Sequence, residues 1–160
     1  MPFGKLPEKY RPEESKLYSN YKNMKIYFAG SIRGGRDDQE MYLKLIEKLR
    51  TYGTVLTEHI GDKSLSNLGE QEVKNDFIYE RDMSWVKESD VIVAELTTPS
   101  LGVGFEIGQA QAMEKPILGL YRTTEGKRLS AMMSGNSYLQ IREYTTLEDI
   151  DAILSDYFKK

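Results

Sequence analysis

Cysteine is absent from this chain of 160 residues, and histidine occurs once, as His59. Without cysteine the protein has neither a disulfide framework nor a thiolate metal site. A single histidine excludes a metal centre built from several imidazoles. The chemistry of the chain therefore has to come from carboxylates, hydroxyls and backbone groups.

Long apolar runs and an excess of basic charge are also missing. No apolar run approaches the length of a membrane span, and the N-terminus lacks the apolar core of a secretory signal. We therefore predict no membrane association and a cytoplasmic location, with the nucleus as an alternative. A formal net charge of −3 offers no basic field for a nucleic-acid backbone, so we expect no nucleic-acid partner.

The composition that is present fits one globular domain preceded by a short arm. Hydrophobic residues make up 39% of the chain and charged residues 29%, as in ordinary soluble domains. Residues 1–23 are charged, carry three prolines and show no helical or strand period. We predict that residues 1–23 form a flexible N-terminal arm and that residues 24–160 form a single domain.

Apolar runs alternate with segments of helical periodicity along that domain. This alternation predicts an α/β fold, a doubly wound, Rossmann-like or flavodoxin-like parallel sheet of five strands flanked by helices. In such sheets ligands bind outside the carboxyl ends of the strands. The predicted strands cover residues 24–29, 53–57, 90–96, 117–121 and 138–144, and the predicted helices cover residues 37–50, 72–87, 102–113 and 147–158.

The segment from Gly30 to Arg36, Gly-Ser-Ile-Arg-Gly-Gly-Arg, follows the first predicted strand directly. Its backbone N–H groups, hydroxyl and guanidinium groups are suited to holding an anion or a sugar, although a plain tight turn would look the same. It lacks the Gly-Lys-Ser/Thr ending of a P-loop. Asp37 and Asp38 come next and would repel a phosphate, so we interpret them as helix caps.

The segment from Ser100 to Gly108, Ser-Leu-Gly-Val-Gly-Phe-Glu-Ile-Gly, opens a helix at the end of a predicted strand. Ser100 and the N–H groups around Gly102 form a natural anion site. Glu106 lies about one turn into the helix, where we expect the helix dipole to favour its ionised, nucleophilic form. The alternative is an ordinary glutamate of a first helical turn.

Asp82 falls on a helical stripe that otherwise looks core-facing. Burial of its carboxyl group would let it hold a proton for a leaving group, whereas the alternative is a buried acid paired with Arg81 or another cation. Tyr27, near the end of the first strand, could hydrogen-bond a carboxylate in the site or simply pack in the core. Ser130 offers a further hydroxyl at the same sheet end or caps a helix, and His59 is expected to be structural or a pocket wall.

Four segments together resemble the nucleoside 2-deoxyribosyltransferase family, in particular its members that act on 2′-deoxynucleoside 5′-monophosphates. The likeness runs from about Lys25 to Phe158 with the motifs in the same order. The segments cover residues 26–35 (Ile-Tyr-Phe-Ala-Gly-Ser-Ile-Arg-Gly-Gly), 53–59 (Gly-Thr-Val-Leu-Thr-Glu-His), 94–108 (Ala-Glu-Leu-Thr-Thr-Pro-Ser-Leu-Gly-Val-Gly-Phe-Glu-Ile-Gly) and 129–132 (Leu-Ser-Ala-Met).

The resemblance implies hydrolysis of the bond between base and deoxyribose, without a metal or an organic cofactor. Glu106 matches the family's nucleophile, Asp82 the acid that assists departure of the base, and Tyr27 the tyrosine that orients the nucleophile. Ser100 and Ser130 would lie near the 5′-phosphate, with Ser130 coming from the neighbouring subunit of a homodimer. The residues expected to line the nucleotide are Gly30, Ser31, Ile32, Arg33, Gly34, Ser100, Gly102 and Ser130.

Three other functions are compatible with the same residues. A deoxyribosyltransferase would pass the sugar to a second base instead of water, and a ribonucleotide glycosidase of the CMP type would differ only in packing around C2′. A nucleotide sensor without turnover would need neither Glu106 nor Asp82, so the presence of both acids argues against it.

Overall fold

The chain is described from a computed structural model that covers residues 24–32, 36–59 and 74–159. The predicted arm, residues 1–23, lies outside the described residues. The elements in chain order are β1 (Lys25–Ala29), α1 (Arg36–Arg50), β2 (Thr54–Leu56), α2 (Asn75–Glu88), β3 (Val91–Glu95), α3 (Leu101–Ala112), β4 (Ile117–Arg122), α4 (Ala131–Ser134), β5 (Gln140–Tyr144) and α5 (Leu147–Lys159).

The five strands form one sheet in the order β2-β1-β3-β4-β5, and every pairing is parallel. This confirms the predicted doubly wound sheet. The chain leaves β1 toward one edge of the sheet and returns to place β3 on the other side of β1. The carboxyl ends of β1 and β3 therefore flank the point where the strand order reverses, which is where such sheets bind ligands.

Alternate residues of each strand enter two separate cores because successive side chains point to opposite faces. On one face Ile26 and Phe28 pack among the side chains of α1 and α5. On the other face Tyr27 and Ala29 pack among the side chains of α2 and α3. Tyr27 is thus directed to the same layer as the two helices that carry Asp82 and Glu106.

Element boundaries differ from the sequence prediction mainly at helix starts and at β5. Helix α3 begins at Leu101, one residue earlier than predicted. Strand β5 begins at Gln140 and not at residue 138, because the Asn136 side chain accepts a hydrogen bond from the Tyr138 N–H at 3.0 Å and holds a turn there. The short helix α4 was predicted only through the alternative in which Ser130 caps a helix. None of the helices over the described residues has the length and apolar content needed to cross a lipid bilayer.

Candidate active site

Tyr27 and Glu106 meet in the layer between the sheet and helix α3. The Tyr27 hydroxyl donates a hydrogen bond of 2.8 Å to Glu106 Oε1, and both side chains are buried. Tyr27 is the third residue of β1, and Glu106 lies on the buried side of α3 with Val103 and Ile107. The predicted hydrogen bond from Tyr27 to a carboxylate is confirmed.

Asp82 and Glu58 bring two further carboxylates to Glu106. One oxygen of each of the three acids lies within 4.8 Å of the others. Asp82 is 5% exposed and Glu106 is 8% exposed, so the prediction that Asp82 is buried is confirmed. Glu58 comes from the segment that follows β2 and was not predicted as a site residue from the sequence. The site thus concentrates three acids in a small buried volume.

Arg81 neutralises part of this negative charge. Its Nε and Nη2 atoms each lie 2.9 Å from Asp82 Oδ1, and Nη2 lies 3.3 Å from Glu58 Oε2. The alternative in which Asp82 pairs with Arg81 is therefore also observed, together with its place beside Glu106. Three acids at this spacing would admit a cation, and because Arg81 already supplies positive charge to two of them we assign no metal to the cluster.

Burial raises the pKa of Glu106 to about 7, the hydrogen bond from Tyr27 lowers it in part, and the charges of Asp82 and Glu58 raise it further. The expectation that the helix dipole holds Glu106 ionised is therefore wrong. The reason is positional: α3 starts at Leu101, so Glu106 lies in the second turn, and the dipole acts mainly within the first. Burial and the neighbouring acids also raise the pKa of Tyr27, which stays a protonated donor.

His59 packs beneath the loop that follows β1. Its Nε2 lies 2.9 Å from the Gly30 carbonyl oxygen, and its ring contacts Phe28 and Tyr42 edge to face. Burial lowers the pKa of His59, which favours the neutral ring. A Cβ atom at Gly30 would stand 3.0 Å from Cζ of Tyr42, so a larger residue at this position would require the Tyr42 ring to shift. The structural role predicted for His59 is confirmed.

Ser100 and Ser130 line one cavity of about 500 Å³ beside the start of α3. Ser100 caps α3 and accepts a hydrogen bond of 3.3 Å from the Val103 N–H. Ser130 caps α4 and accepts one of 3.3 Å from the Met132 N–H. The expected N-cap role of Ser130 is thus observed. Most other residues around this cavity are apolar, and Glu106 is not among them.

The structure describes only some of the remaining predicted site residues. Gly102 lies in the first turn of α3, where an added Cβ would meet only Ser100 Oγ, at 3.7 Å. Ser31 is buried and Ile32 is exposed at the end of the segment after β1. Arg33 and Gly34 lie outside the described residues.

Two buried acids, Glu95 at the end of β3 and Asp38 in the first turn of α1, have contacts that were not predicted from the sequence. Glu95 accepts hydrogen bonds from the Thr97 hydroxyl and, at 2.9 Å, from the Tyr144 hydroxyl. Asp38, interpreted as a cap, is buried and accepts a hydrogen bond of 2.6 Å from the Thr98 hydroxyl. A charged residue inside the apolar run of β3 was the available signal for Glu95. Both acids anchor the loop that leads to Ser100.

Comparison of the sequence with known protein families identifies the family of this chain. The sequence matches the pattern described as nucleoside 2-deoxyribosyltransferase over residues 26–139. The chain belongs to the nucleoside 2-deoxyribosyltransferase family. The matched region contains every residue of the acid cluster, as well as Tyr27, Ser100 and Ser130.

Relatives within and around this family support the assignment. The 5-hydroxymethyl-dUMP N-hydrolase of Tetraodon nigroviridis is 49% identical over 140 residues, which cover 84% of this chain and 97% of the relative. The protein of the same name from Homo sapiens is 46% identical over 138 residues, covering 84% of this chain and 79% of the relative. The structure of a Clostridium botulinum CMP N-glycosidase has a TM-score of 0.58 and 21% identity, covers 83% of this chain and 98% of that one, and supports the fold alone.

Proposed function

We propose that this chain hydrolyses the N-glycosidic bond of 2′-deoxynucleoside 5′-monophosphates to a free base and 2-deoxyribose 5-phosphate. The observation that carries the proposal is the buried Glu106 carboxyl group, which accepts a hydrogen bond from the Tyr27 hydroxyl and lies close to Asp82. Relatives named 5-hydroxymethyl-dUMP N-hydrolase, at 46–50% identity, support the same chemistry. They also make the 5-hydroxymethyluracil nucleotide the first substrate to test.

Glu106 acts as the nucleophile in this proposal. Its carboxylate attacks C1′ of the sugar, the bond from C1′ to the base nitrogen breaks, and a glycosyl ester forms on Glu106. Tyr27 holds Oε1 and so directs the other oxygen toward the sugar. Water then attacks C1′, the ester bond from C1′ to Glu106 breaks, and the proton lost by the water passes to Asp82, which has by then given its own proton to the base, so that 2-deoxyribose 5-phosphate is released. A pair of carboxylates in one site, one acting as nucleophile and the other as acid, is the arrangement of retaining O-glycosidases, an analogy that favours a covalent intermediate.

Asp82 assists the departing base in the same proposal. As C1′ separates from the base, negative charge builds on the base, and a nearby acid that delivers a proton lowers the barrier. Asp82 lies on α2, and one of its carboxylate oxygens is within 4.8 Å of one of Glu106, a spacing that would let the two acids act on the same nucleotide. No step of this scheme needs a metal, so we expect activity to persist in EDTA.

A base-release assay over a panel of nucleotides tests the proposed function. The panel contains 5-hydroxymethyl-dUMP, dGMP, CMP and deoxyguanosine, each with and without added adenine. We expect free base and 2-deoxyribose 5-phosphate from a deoxynucleoside monophosphate, whether or not adenine is present. An exchanged nucleoside product would assign the chain as a transferase instead, and turnover of CMP alone would assign it as a ribonucleotide glycosidase.

We also propose that the chain works as a homodimer in which one face of α3 meets a second copy. Leu101 is 97% exposed and Phe105 is exposed on the same side of the helix. An added Cβ at Gly104 or Gly108 meets nothing within 4 Å, so this side of α3 is open to close approach. Met132 on α4 is also exposed, at 78%. An exposed apolar surface of this kind is typical of an interface.

Ser130 is expected to reach the partner's phosphate site across this interface. Ser130 is exposed and lies two residues from Met132, and within one chain it lines the same cavity as Ser100. The shared arrangement rests on the family resemblance, in which the matching serine comes from the neighbouring subunit. Mixing Ser130→Ala subunits with Glu106→Gln subunits tests this arrangement, because a hybrid dimer then has one intact site. Recovery of monophosphate hydrolysis on mixing supports the shared site, and no recovery contradicts it.

Ser130→Ala alone tests the role of this hydroxyl in phosphate binding. We expect kcat/KM to fall much more for the monophosphate than for the unphosphorylated nucleoside. An equal loss on both substrates would remove Ser130 from the phosphate site. For location we propose the cytoplasm, with the nucleus as the alternative, which imaging of a fluorescent fusion would decide.

A further inference from the structure

Arg81 contacts acids that come from two different parts of the chain. Residues at adjacent positions of a helix do not normally face each other, yet Arg81 turns back so that Nε and Nη2 both reach Asp82 Oδ1. The same Nη2 reaches Glu58, which follows β2. One guanidinium therefore joins helix α2 to the segment after β2, directly beside the acid cluster.

Aromatic rings on the same helix hold the guanidinium in place. Its Cζ lies 4.7 Å from the ring centroid of Trp85 and 6.0 Å from that of Phe77. These rings stand four residues on either side of Arg81, so they line one stripe of α2. The Arg81 side chain is 26% exposed. A planar guanidinium held in this way loses little freedom when it bonds two acids.

The charges around Glu106 are distributed unevenly. The groups that face it are Tyr27 from β1, Glu58 after β2 and Asp82 from α2. Arg81 bonds Glu58 and Asp82 but makes no hydrogen bond or ion pair with Glu106 among the described contacts. Without Arg81, Glu58 and Asp82 would face each other as uncompensated like charges and would separate.

We infer that Arg81 is a positioning residue, whose guanidinium holds Glu58 and Asp82 together so that Asp82 stays within reach of the departing base. The inference rests on the proposed function, in which Asp82 assists base departure. Arg81 itself touches neither the sugar nor the phosphate in this scheme. Its loss should therefore slow the chemical step more than it weakens substrate binding.

Arg81→Met and Arg81→Lys test the inference, with Arg142→Met as the matched control. Methionine keeps an apolar side chain over Trp85 and removes the cation. Lysine keeps the positive charge but lacks the planar guanidinium that bonds two acids at once. Arg142 makes a comparable pair with Asp156, at 3.2 Å, away from the cluster. We expect Arg81→Met to lower kcat about a hundredfold, the usual cost of a small misplacement of a reacting group, with little change in KM. Lysine should restore part of kcat, and Arg142→Met should keep all of it.

The pH profile separates positioning from mere destabilisation. Removal of a cation raises the proton affinity of nearby carboxylates, so the acidic limb of kcat/KM should move to higher pH in Arg81→Met and partly return in Arg81→Lys. An unchanged kcat and an unchanged limb in Arg81→Met would overturn the inference. So would a loss of kcat in which lysine gives no recovery and the limb does not move.

A measurement on the free protein keeps this inference distinct from the proposed function. The side-chain carboxyl ¹³C shift of Glu106 can be followed against pH in wild type and Arg81→Met, because the charges of Asp82 and Glu58 act on the pKa of Glu106. A changed titration of Glu106 in the variant supports the positioning role of Arg81 even if wild type releases no base, a result that would contradict only the proposed function. Superimposable titrations would overturn the positioning role while leaving base release by wild type intact.

Discussion

Glu106 is subject to two opposing requirements. Its place in the buried layer beside Asp82 and Glu58 raises its pKa to about 7, mainly through burial. A carboxylate that attacks carbon must nevertheless be charged. The hydrogen bond from Tyr27 acts against burial and lowers the pKa of Glu106. We therefore expect hydrolysis to rise with pH through about 7 in wild type.

Tyr27→Phe should move this rise to higher pH. The phenol is one of the groups that keep the pKa of Glu106 down, and a hydrogen bond to a charged group is worth about 1.5–3 kcal/mol. The acidic limb of kcat/KM should therefore shift upward by about one pH unit or more. Tyr157→Phe is the control, because its buried hydroxyl finds no hydrogen-bond partner among the described residues. If the acidic limb of kcat/KM does not move in Tyr27→Phe, Tyr27 does not lower the pKa of Glu106.

Glu106→Gln should make the folded protein less sensitive to alkaline pH. The folded-state pKa of Glu106, about 7, exceeds the ordinary value of 4.5. The stability that this proton supplies is therefore full below about pH 4.5 and is lost as pH rises through 7. Glutamine carries no such proton, so between pH 4 and pH 8 the free energy of unfolding should fall by about 3 kcal/mol less in the variant.

Urea unfolding at pH 4 and pH 8 measures this difference, and Glu143→Gln, at an exposed position of β5, controls for the loss of one carboxylate. If wild type and Glu106→Gln lose the same free energy of unfolding between the two pH values, the pKa of Glu106 is not raised in the folded protein.

Helices and strands bring these residues together in a way that the sequence predicts in part. Buried parallel strands form apolar runs, so the alternation of strand and helix was sufficient to predict the sheet. Tyr27 and Glu106 were predicted near one sheet end from their places at the end of β1 and the start of α3. The pKa of Glu106 was predicted in the wrong direction, because it depends on which helical turn holds the acid and on two acids from other elements.

Glu58 and Glu95 show what local patterns do not reveal. Glu58 lies in a polar segment where any acid is unremarkable until Arg81 and Asp82 are known to lie beside it. Glu95 lies within an apolar strand, and its burial is compensated by hydrogen bonds from Thr97 and Tyr144, which the strand sequence does not indicate. The charge inside the apolar run of β3 marks Glu95 as unusual, but Tyr144, which bonds Glu95, and Arg81, which bonds Glu58, come from distant positions that a single sequence does not connect.

Gly53 tests how the turn between α1 and β2 sets the edge of the sheet. A Cβ at this position would stand 2.4 Å from the carbonyl oxygen of Met24, so backbone atoms would have to move. Gly53→Ala should lower the free energy of unfolding by about 1–3 kcal/mol, as overpacking usually does. Thr54→Ala, at the next and exposed position, should cost less than about 1 kcal/mol. Equal effects in thermal or urea unfolding would show that the turn adjusts without strain.

At the scale of the whole molecule, the exposed apolar side of α3 is the surface through which we propose that two copies associate. Leu101→Glu places a charge in the proposed interface, where an unpaired charge costs several kcal/mol, so the dimer should weaken by at least about a hundredfold. Leu43→Glu is the control, because Leu43 is half exposed on α1, on the opposite face of the sheet. Sedimentation should show a monomer for Leu101→Glu and a dimer for Leu43→Glu and wild type. A dimer in all three would place the interface elsewhere.

The central claim is that Glu106 forms a covalent bond to the sugar, and the mass of the intact protein during turnover tests it most directly. Wild type mixed with 5-hydroxymethyl-dUMP and quenched in acid should gain the mass of one 2-deoxyribose 5-phosphate unit, on the peptide that contains Glu106. Glu106→Gln should gain no mass and release no base while still binding the nucleotide. Base release by Glu106→Gln at the wild-type rate, or an adduct on another residue, would contradict the claim.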